Sequence, residues 1–428
     1  MAKYLFATTP LHGHMTPGLP IARTLVERGH EVLWYGTSKY RHKIEETGAS
    51  FTKVESAKDY DDNRLDEAFP GRNQLKEGIS RLKYDLKHIF FDEIVGYDAD
   101  LSRILQQFPA DVVIMDSGFA GMLPMILKGK APKTVIYGIL PLALSSRDTA
   151  PFGLGLPPHS GAIGRLRNNA LNILIQKMLL TDVQKHLNQV LTRVGSPELP
   201  YYFMDAPAFI SDLFLQGTCP SFEYPRSDLP KNVTFIGPYL PEKRSDYQLP
   251  VWWEELKGSR PVVHVTQGTL ANEDFNQLLI PTIQALASED VLVVATTGNK
   301  PVANVKIPLP DNVKLETFIP HHDLLPYVDV MVTNGGYGGV QLAIHYGVPL
   351  VTAGKSEDKP EVCARVAWSG VGVNLKTDRP STDQLLRAVR QILTQSSYKE
   401  KVNRLSAEFQ SYNAISNTVK ELERLAGC

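Results

Sequence analysis

Cysteine is scarce in this 428-residue chain: Cys219, Cys363 and Cys428 stand far apart, odd in number and without a CxxC pair. That excludes a disulfide framework and a cysteine zinc site, and it suits a reducing compartment. No uninterrupted apolar run approaches the ~18–20 residues of a membrane span. The opening "MAKYLFATTP" lacks the apolar core of a signal peptide. A cytoplasmic protein is therefore expected. Charge of one sign is also missing, since 45 basic residues face 46 acidic ones. Nothing in that balance calls for nucleic acid or a general membrane surface as partner. The first strand ends in "TTPLHGH" where a nicotinamide-binding chain would carry GxGxxG.

What is present is alternation. Residues 3–8, 30–36, 111–116 and 133–138 are short apolar runs, as expected of parallel strands covered on both faces. Between the first two, Thr16 reads as a helix N-cap, Pro17 as the first helical residue and Gly29 as the stop. Residues 74–107 and 163–195 read as mostly helical. Residues 237–250, "GPYLPEKRSDYQLP", hold three prolines and four charges without periodicity, and read as a linker. Alternation restarts at 261–268, 291–298, 313–318, 329–334 and 348–354, with Phe275, Leu278, Leu279, Ile283 and Leu286 on one helical face. At this length, two successive βα arrays imply two doubly wound, Rossmann-like α/β domains facing across a cleft. Ligands then bind at the carboxyl ends of the strands.

The stretch "DVMVTNGGYGGVQLAIHYGVPLV" (329–351) places four glycines in positions 335–339, between a strand end at Thr333 and a helix starting near Tyr337. Gly335, Gly336, Gly338 and Gly339 allow close backbone approach, and a helix start offers unpaired N–H groups and partial positive charge. Together they suit a diphosphate without a metal.

Phe318, Pro320 and His321 precede that turn, and Asp358 and Lys359 follow it, all in an order and spacing that resembles the family-1 nucleotide-sugar glycosyltransferases of the GT-B fold. "VTQGT" (265–269), "GHMTP" (13–17) and "ERGHEV" (27–32) match further family motifs, so the resemblance runs through essentially the whole chain. It implies an acceptor-binding domain over 1–236, the linker 237–250, a donor-binding domain over 251–405, and a C-terminal helix, 406–428, packing back on the first domain. It implies that Phe318 stacks on the nucleobase, that backbone at Ile319 meets the base edge, that Gly268 and Thr269 lie on the phosphates, and that Asp358 holds sugar hydroxyls. The chain departs from the pattern at five places: Asn334 for histidine, Gly339 for serine or threonine, Leu342 for the ribose-binding glutamate, Lys359 for the glutamine of DQ and His321 for that of xPQ. Gln341 stands beside Leu342 as a substitute only if the helical turn is rotated.

At the strand-to-helix turn, His14 reads as a base on the cleft side and Asp116, ending another strand, as the carboxylate that orients it. In the resembled family this histidine deprotonates the acceptor hydroxyl, which displaces the nucleoside diphosphate with inversion. His12 reads as structural. Phe90, Phe119 and Phe152, with Phe91, are candidate walls of an apolar acceptor pocket. The reading is a cytoplasmic, metal-independent hexosyltransferase using a UDP-sugar, or a dTDP-sugar, as co-substrate. Its partners are that donor and a small, largely apolar hydroxylated acceptor. Two rivals share the fold: a nucleotide-sugar 2-epimerase, which needs acidic residues in the cleft, and a non-catalytic auxiliary protein, which has no use for a His–Asp pair.

Overall fold

The computed structural model describes residues 1–76, 78–243, 247–268, 272 and 274–428. The first unit is built on a parallel sheet of β1 (Lys3–Ala7), β2 (Glu31–Gly36), β3 (Ser50–Lys53), β4 (Val112–Asp116), β5 (Lys133–Gly138), β6 (Leu213–Gln216) and β7 (Val233–Phe235), in the order β3-β2-β1-β4-β5-β6-β7. The second carries β8 (Val262–Thr266), β9 (Leu292–Thr296), β10 (Val313–Glu316), β11 (Val330–Thr333), β12 (Leu350–Thr352) and β13 (Gly372–Asn374), ordered β10-β9-β8-β11-β12-β13. The central strands β1, β4, β8, β9 and β11 are buried along almost their whole length, which is why they are near-continuous apolar runs.

In each sheet the strand order reverses once in the middle, between β1 and β4 and between β8 and β11. A crevice opens at such a switch point, beyond the carboxyl ends of the two strands. Register decides which residues meet there. Phe6 lies opposite Ile114, so the chain leaving β1 comes level with Asp116. Thr333 lies opposite Thr266, which sets Asn334 beside Gln267.

Local starts and stops depart from expectation in three places. A one-turn helix, His12–Met15, precedes the expected one, and Thr16 is not its successor's cap: its hydroxyl donates back to the His12 carbonyl at 2.7 Å. The next helix runs Gly18–Glu27 behind Pro17, and Gly29 closes it at φ +82°. The helix after β8 begins only at Leu279, because Pro281 has no N–H to bond an earlier carbonyl; the five apolar residues expected on one face are all buried nonetheless. Third, the helix Ser396–Gln410 runs through the expected division at 405/406. Val402, Leu405 and Phe409 pack with the second unit. The crossing lies at 411–413, after which Asn413 caps the helix Ala414–Ala426, whose Ala414, Val419 and Leu422 enter the core of the first unit. Among the described residues no helix is long and apolar enough to cross a membrane.

Candidate active site

At the first switch point the segment leaving β1 turns straight into the short helix His12–Met15, which carries His14 on its rim. His14 Nδ1 lies 2.6 Å from Asp116 Oδ1, the carboxylate fully buried and the imidazole 15% exposed. Asp116 also accepts from Thr9 N–H at 2.6 Å, the Thr9 hydroxyl at 3.2 Å and Gly118 N–H at 2.8 Å. A carboxylate receiving those donors takes Nδ1–H as a further one, so Nε2 of His14 carries the free lone pair. The Tyr137 hydroxyl donates to the His14 carbonyl at 2.7 Å and holds the turn from below. Gly118 must be glycine for space, since a Cβ there would sit 2.8 Å from His14 Cε1.

At the second switch point, Gly268 ends the strand at φ +75° and Gly335 follows β11 at φ +87°, where a Cβ would also fall 2.5 Å from Cys363 Sγ. Asn334 Nδ2 donates to the Gln267 carbonyl at 2.6 Å, tying the two strand ends. One amide hydrogen of Asn334 is thus committed to structure. Gly336 caps the helix Tyr337–His345. A methyl group on Gly336, Gly338 or Gly339 would meet nothing within 4 Å, so this helix start faces an open cradle. Tyr337 contributes only its backbone there: its ring is buried and stacks on Phe222 at 6.5 Å. Gln341 and Leu342 are both buried as well, Leu342 in the same apolar cluster as Ile319 and Leu324. Thr269 lies outside the described residues.

Phe318 is half-buried just past β10, its carbonyl accepting from the Tyr247 hydroxyl at 3.3 Å, and Ile319 is buried behind it. Beside them His321 meets a residue the motif reading missed, His264 on β8. His264 Nδ1 donates to the Val294 carbonyl at 2.9 Å, which leaves its Nε2 as acceptor for His321 Nε2–H at 3.3 Å, and His321 Nδ1 as an acceptor in turn. Burial, with His321 close by, pulls His264 down to about 3; burial, then His322, pulls His321 to about 4. Unfolded, each titrates near its ordinary 6.5. Between about pH 6.5 and 4 the unfolded chain therefore binds more protons, and stability falls as pH falls, by at most about 1.4 kcal/mol per pH unit for each histidine. His321→Gln, which can still donate to His264, should make the urea midpoint fall less steeply across that window. An unchanged slope would contradict this.

Asp358 caps the helix Lys359–Trp368, and Lys359 at its start lies within 4 Å of a Cβ built on Gly335. Burial pushes the Asp358 carboxyl up to about 6, against the pull of Lys359 and, more weakly, of His14 across the cleft. Lys359 is buried over Gly354, its ammonium on Glu357 and, at 3.3 Å, on the Ser356 hydroxyl. One turn further, Glu361 accepts from Gly153 and Gly155 N–H at 2.9 and 2.8 Å and from Arg365 at 2.8 Å. Arg365 also reaches Glu223 of the first unit, at 3.0 Å from Nε, and lies 4.0 Å from the Tyr224 ring. Glu223, Glu361 and Arg365 are all buried. This bracket joins the helix bearing Asp358 to the loop 153–155 of the facing unit.

A family model described as "Erythromycin biosynthesis protein CIII-like, C-terminal domain" matches residues 280–425. The 4′-demethylrebeccamycin synthase of Lentzea aerocolonigenes is 45% identical over 429 residues, covering 99% of this chain and 99% of the relative. The chain belongs to the family-1 natural-product glycosyltransferases. UDP-glycosyltransferase 2 of Phaeomoniella chlamydospora is 36% identical, over 99% of this chain and 95% of its own. Among solved structures, a calicheamicin glycosyltransferase superposes with a TM-score of 0.74 at 21% identity, covering 100% of this chain and 98% of that one. The two-domain GT-B fold is thereby shown. The epimerase reading finds no support in these relatives.

On the acceptor side the glycosyltransferase brings only part of the expected wall together. Phe90 reaches His14, the two ring centroids 6.1 Å apart, and Phe152 is half-buried in the loop that Glu361 holds. Phe119 does not line a pocket. It is 7% exposed and packs on Tyr97 at 4.9 Å, because the chain after β4 folds back over the sheet. Phe91 is core too, edge-on to Phe203. Of the residues the sequence reading missed, Glu361 and Arg365 carried a signal, their i, i+4 spacing on one helix. Glu223, 142 residues away, carried none.

Proposed function

We propose that this glycosyltransferase moves a hexose from a uridine or deoxythymidine diphosphate sugar to a hydroxyl of a small, largely apolar acceptor, with inversion and without a metal in the reaction. The observation that carries it is the His14–Asp116 pair, which commits Nδ1 to the carboxylate and leaves the Nε2 lone pair of His14 free at the mouth of the first switch point. Nε2 takes the acceptor's O–H proton as that oxygen bonds to the anomeric carbon. The bond from that carbon to the diphosphate breaks, its electron pair leaving with the phosphate. Asp116 steadies the imidazolium through Nδ1–H. Backbone N–H groups at the start of Tyr337–His345, with Gly268, receive the diphosphate charge where other enzymes place a cation. Phe318 stacks on the base, backbone at Ile319 and the acceptor Nδ1 of His321 offer partners to its edge, and Asp358 and Lys359 meet the sugar. Phe90 and Phe152 suit an apolar acceptor. All three cysteines are free, as the reducing cytoplasm we assign would keep them.

The relatives named UDP-glycosyltransferase and UDP-glucosyltransferase favour a uridine donor and glucose. Leu342, where a ribose-binding carboxylate would stand, accepts no hydrogen bond, so one means of sensing the 2′-hydroxyl is missing. A neutral hydrogen bond is worth about 0.5–1.5 kcal/mol. UDP-glucose and dTDP-glucose should accordingly differ by no more than about tenfold in kcat/KM with one hydroxylated aromatic acceptor. The assay is release of nucleoside diphosphate, with and without acceptor, in the presence of EDTA. Failure of both donors, or loss of turnover on chelation that magnesium restores, would overturn the proposal.

A further inference from the structure

Away from the cleft of the first unit, three side chains from two helical segments converge. The segment Leu86–Phe91 takes a wide, π-helical turn and the helix Thr181–Arg193 packs beside it. His88 Nδ1 lies 2.7 Å from Asp92 Oδ2, and His186 Nε2 lies 2.7 Å from the other oxygen, Oδ1. The two imidazoles cross edge to face with centroids 5.8 Å apart. One ligating atom from each of the three residues falls within 4.8 Å of the other two. None of the three has a part in the transfer reaction.

We propose that His88, Asp92 and His186 form a binding site for a single divalent transition-metal ion of the Zn²⁺ class. The donor set argues for the class. Two imidazole nitrogens and one carboxylate oxygen suit Zn²⁺, Co²⁺, Ni²⁺ or Cu²⁺, whereas Mg²⁺ and Ca²⁺ take oxygen ligands. Geometry argues for the site. Both nitrogens already point at one carboxylate, and His88 and Asp92 share a helix face at i, i+4. The three ligating atoms lie within 4.8 Å of one another, against about 3.3 Å between ligands that each stand about 2.0–2.1 Å from one tetrahedral ion, so binding draws the two imidazoles together. The side chains are 39%, 35% and 20% exposed, so an ion has a way in and a fourth position stays open to water. Two lysines that precede His88, Lys83 and Lys87, are both engaged by Asp182, at 2.8 and 2.6 Å. Tyr84 covers His88 from the side at 4.4 Å.

Such an ion pins the π-turn to the helix Thr181–Arg193. The same turn carries Phe90, which faces His14, so the metal stiffens a wall beside the base without touching reacting atoms. Binding of the ion does not depend on the reading of His14 as base.

The test titrates chelator-stripped full-length protein with Co²⁺, followed by visible absorption, and with Zn²⁺, followed by calorimetry and thermal melting. One equivalent of Co²⁺ should develop ligand-field bands, Zn²⁺ should displace it and raise Tm, and Mg²⁺ should do neither. His88→Ala and His186→Ala should each weaken Zn²⁺ binding by at least about tenfold, the scale on which even outer partners of a metal act. His42→Ala, at an exposed His–Glu pair elsewhere, should leave it unchanged. Wild-type protein that gives no bands, no heat and no Tm shift would overturn the proposal, and that result does not depend on any variant folding. So would undiminished binding in a His88→Ala/His186→Ala double variant whose near-ultraviolet circular dichroism matches wild type.

Discussion

His14→Ala is expected to lower kcat by roughly 10²–10⁴-fold while leaving nucleotide affinity nearly unchanged. Among the described residues the ring's hydrogen bond and ring contact, to Asp116 and Phe90, lie within the first unit, whereas the glycine cradle, Phe318 and Asp358 belong to the second, so removing it should disturb the donor side only through its weak pull on Asp358. The imidazole is only 15% exposed, but three other donors still satisfy the Asp116 carboxylate, so the fold should hold with a modest loss of stability. Asp116→Asn differs. Thr9 N–H, the Thr9 hydroxyl, Gly118 N–H and His14 Nδ1–H all donate to that carboxylate. An amide can accept through one atom only and turns its NH₂ toward the remaining donors. At a fully buried site this leaves donors facing donors, at about 1–3 kcal/mol for each orphaned group. Asp116→Asn should therefore lose turnover and melt lower than His14→Ala does. Steady-state kinetics, nucleotide calorimetry and thermal melting on the two variants separate these effects. Wild-type turnover in folded His14→Ala would remove the base assignment.

Arg365→Met is expected to destabilise the protein by about 3–5 kcal/mol, the usual cost of leaving a buried charge without its partner. The guanidinium lies between Glu223 and Glu361, one from each unit. Burial raises the Glu223 carboxyl, and Arg365 with Arg226 more than reverses this, holding it below its usual range. Without Arg365, Glu223 keeps Arg226 at 3.2 Å, whereas among the described residues Glu361 keeps only the two glycine N–H groups. Arg365→Lys should recover little, since one ammonium cannot span both carboxylates as a planar guanidinium does. Urea denaturation followed at both units reads the loss. A midpoint within error of wild type in Arg365→Met would show that the bracket contributes nothing.

Much of this was legible in the sequence because it is local. The central strands are long apolar runs, and the glycine turn, the His14 turn and the Phe318 segment each sit within a few residues of a strand end. β3 and β13 escaped notice as short edge strands, "SFTK" and "GVN", without an apolar run, and β6 is only four residues long. Burial was the harder quantity. Phe119, read as a pocket wall, and Tyr337, inside the glycine turn, both turn into the core, because each is decided by what packs over it rather than by its neighbours in sequence. The long-range pairs were invisible for the same reason. His264 sits in an unremarkable strand pattern, and nothing near Glu223 or His186 indicates Arg365 or Asp92.

The proposed reaction is a single displacement by an acceptor oxygen that His14 deprotonates. Its most direct test is the anomeric configuration of the first glycoside formed, read by proton NMR during the reaction with a donor of known configuration. Inversion is expected, an α-linked nucleotide sugar giving a β-glycoside. A product that retains the donor's configuration would contradict it.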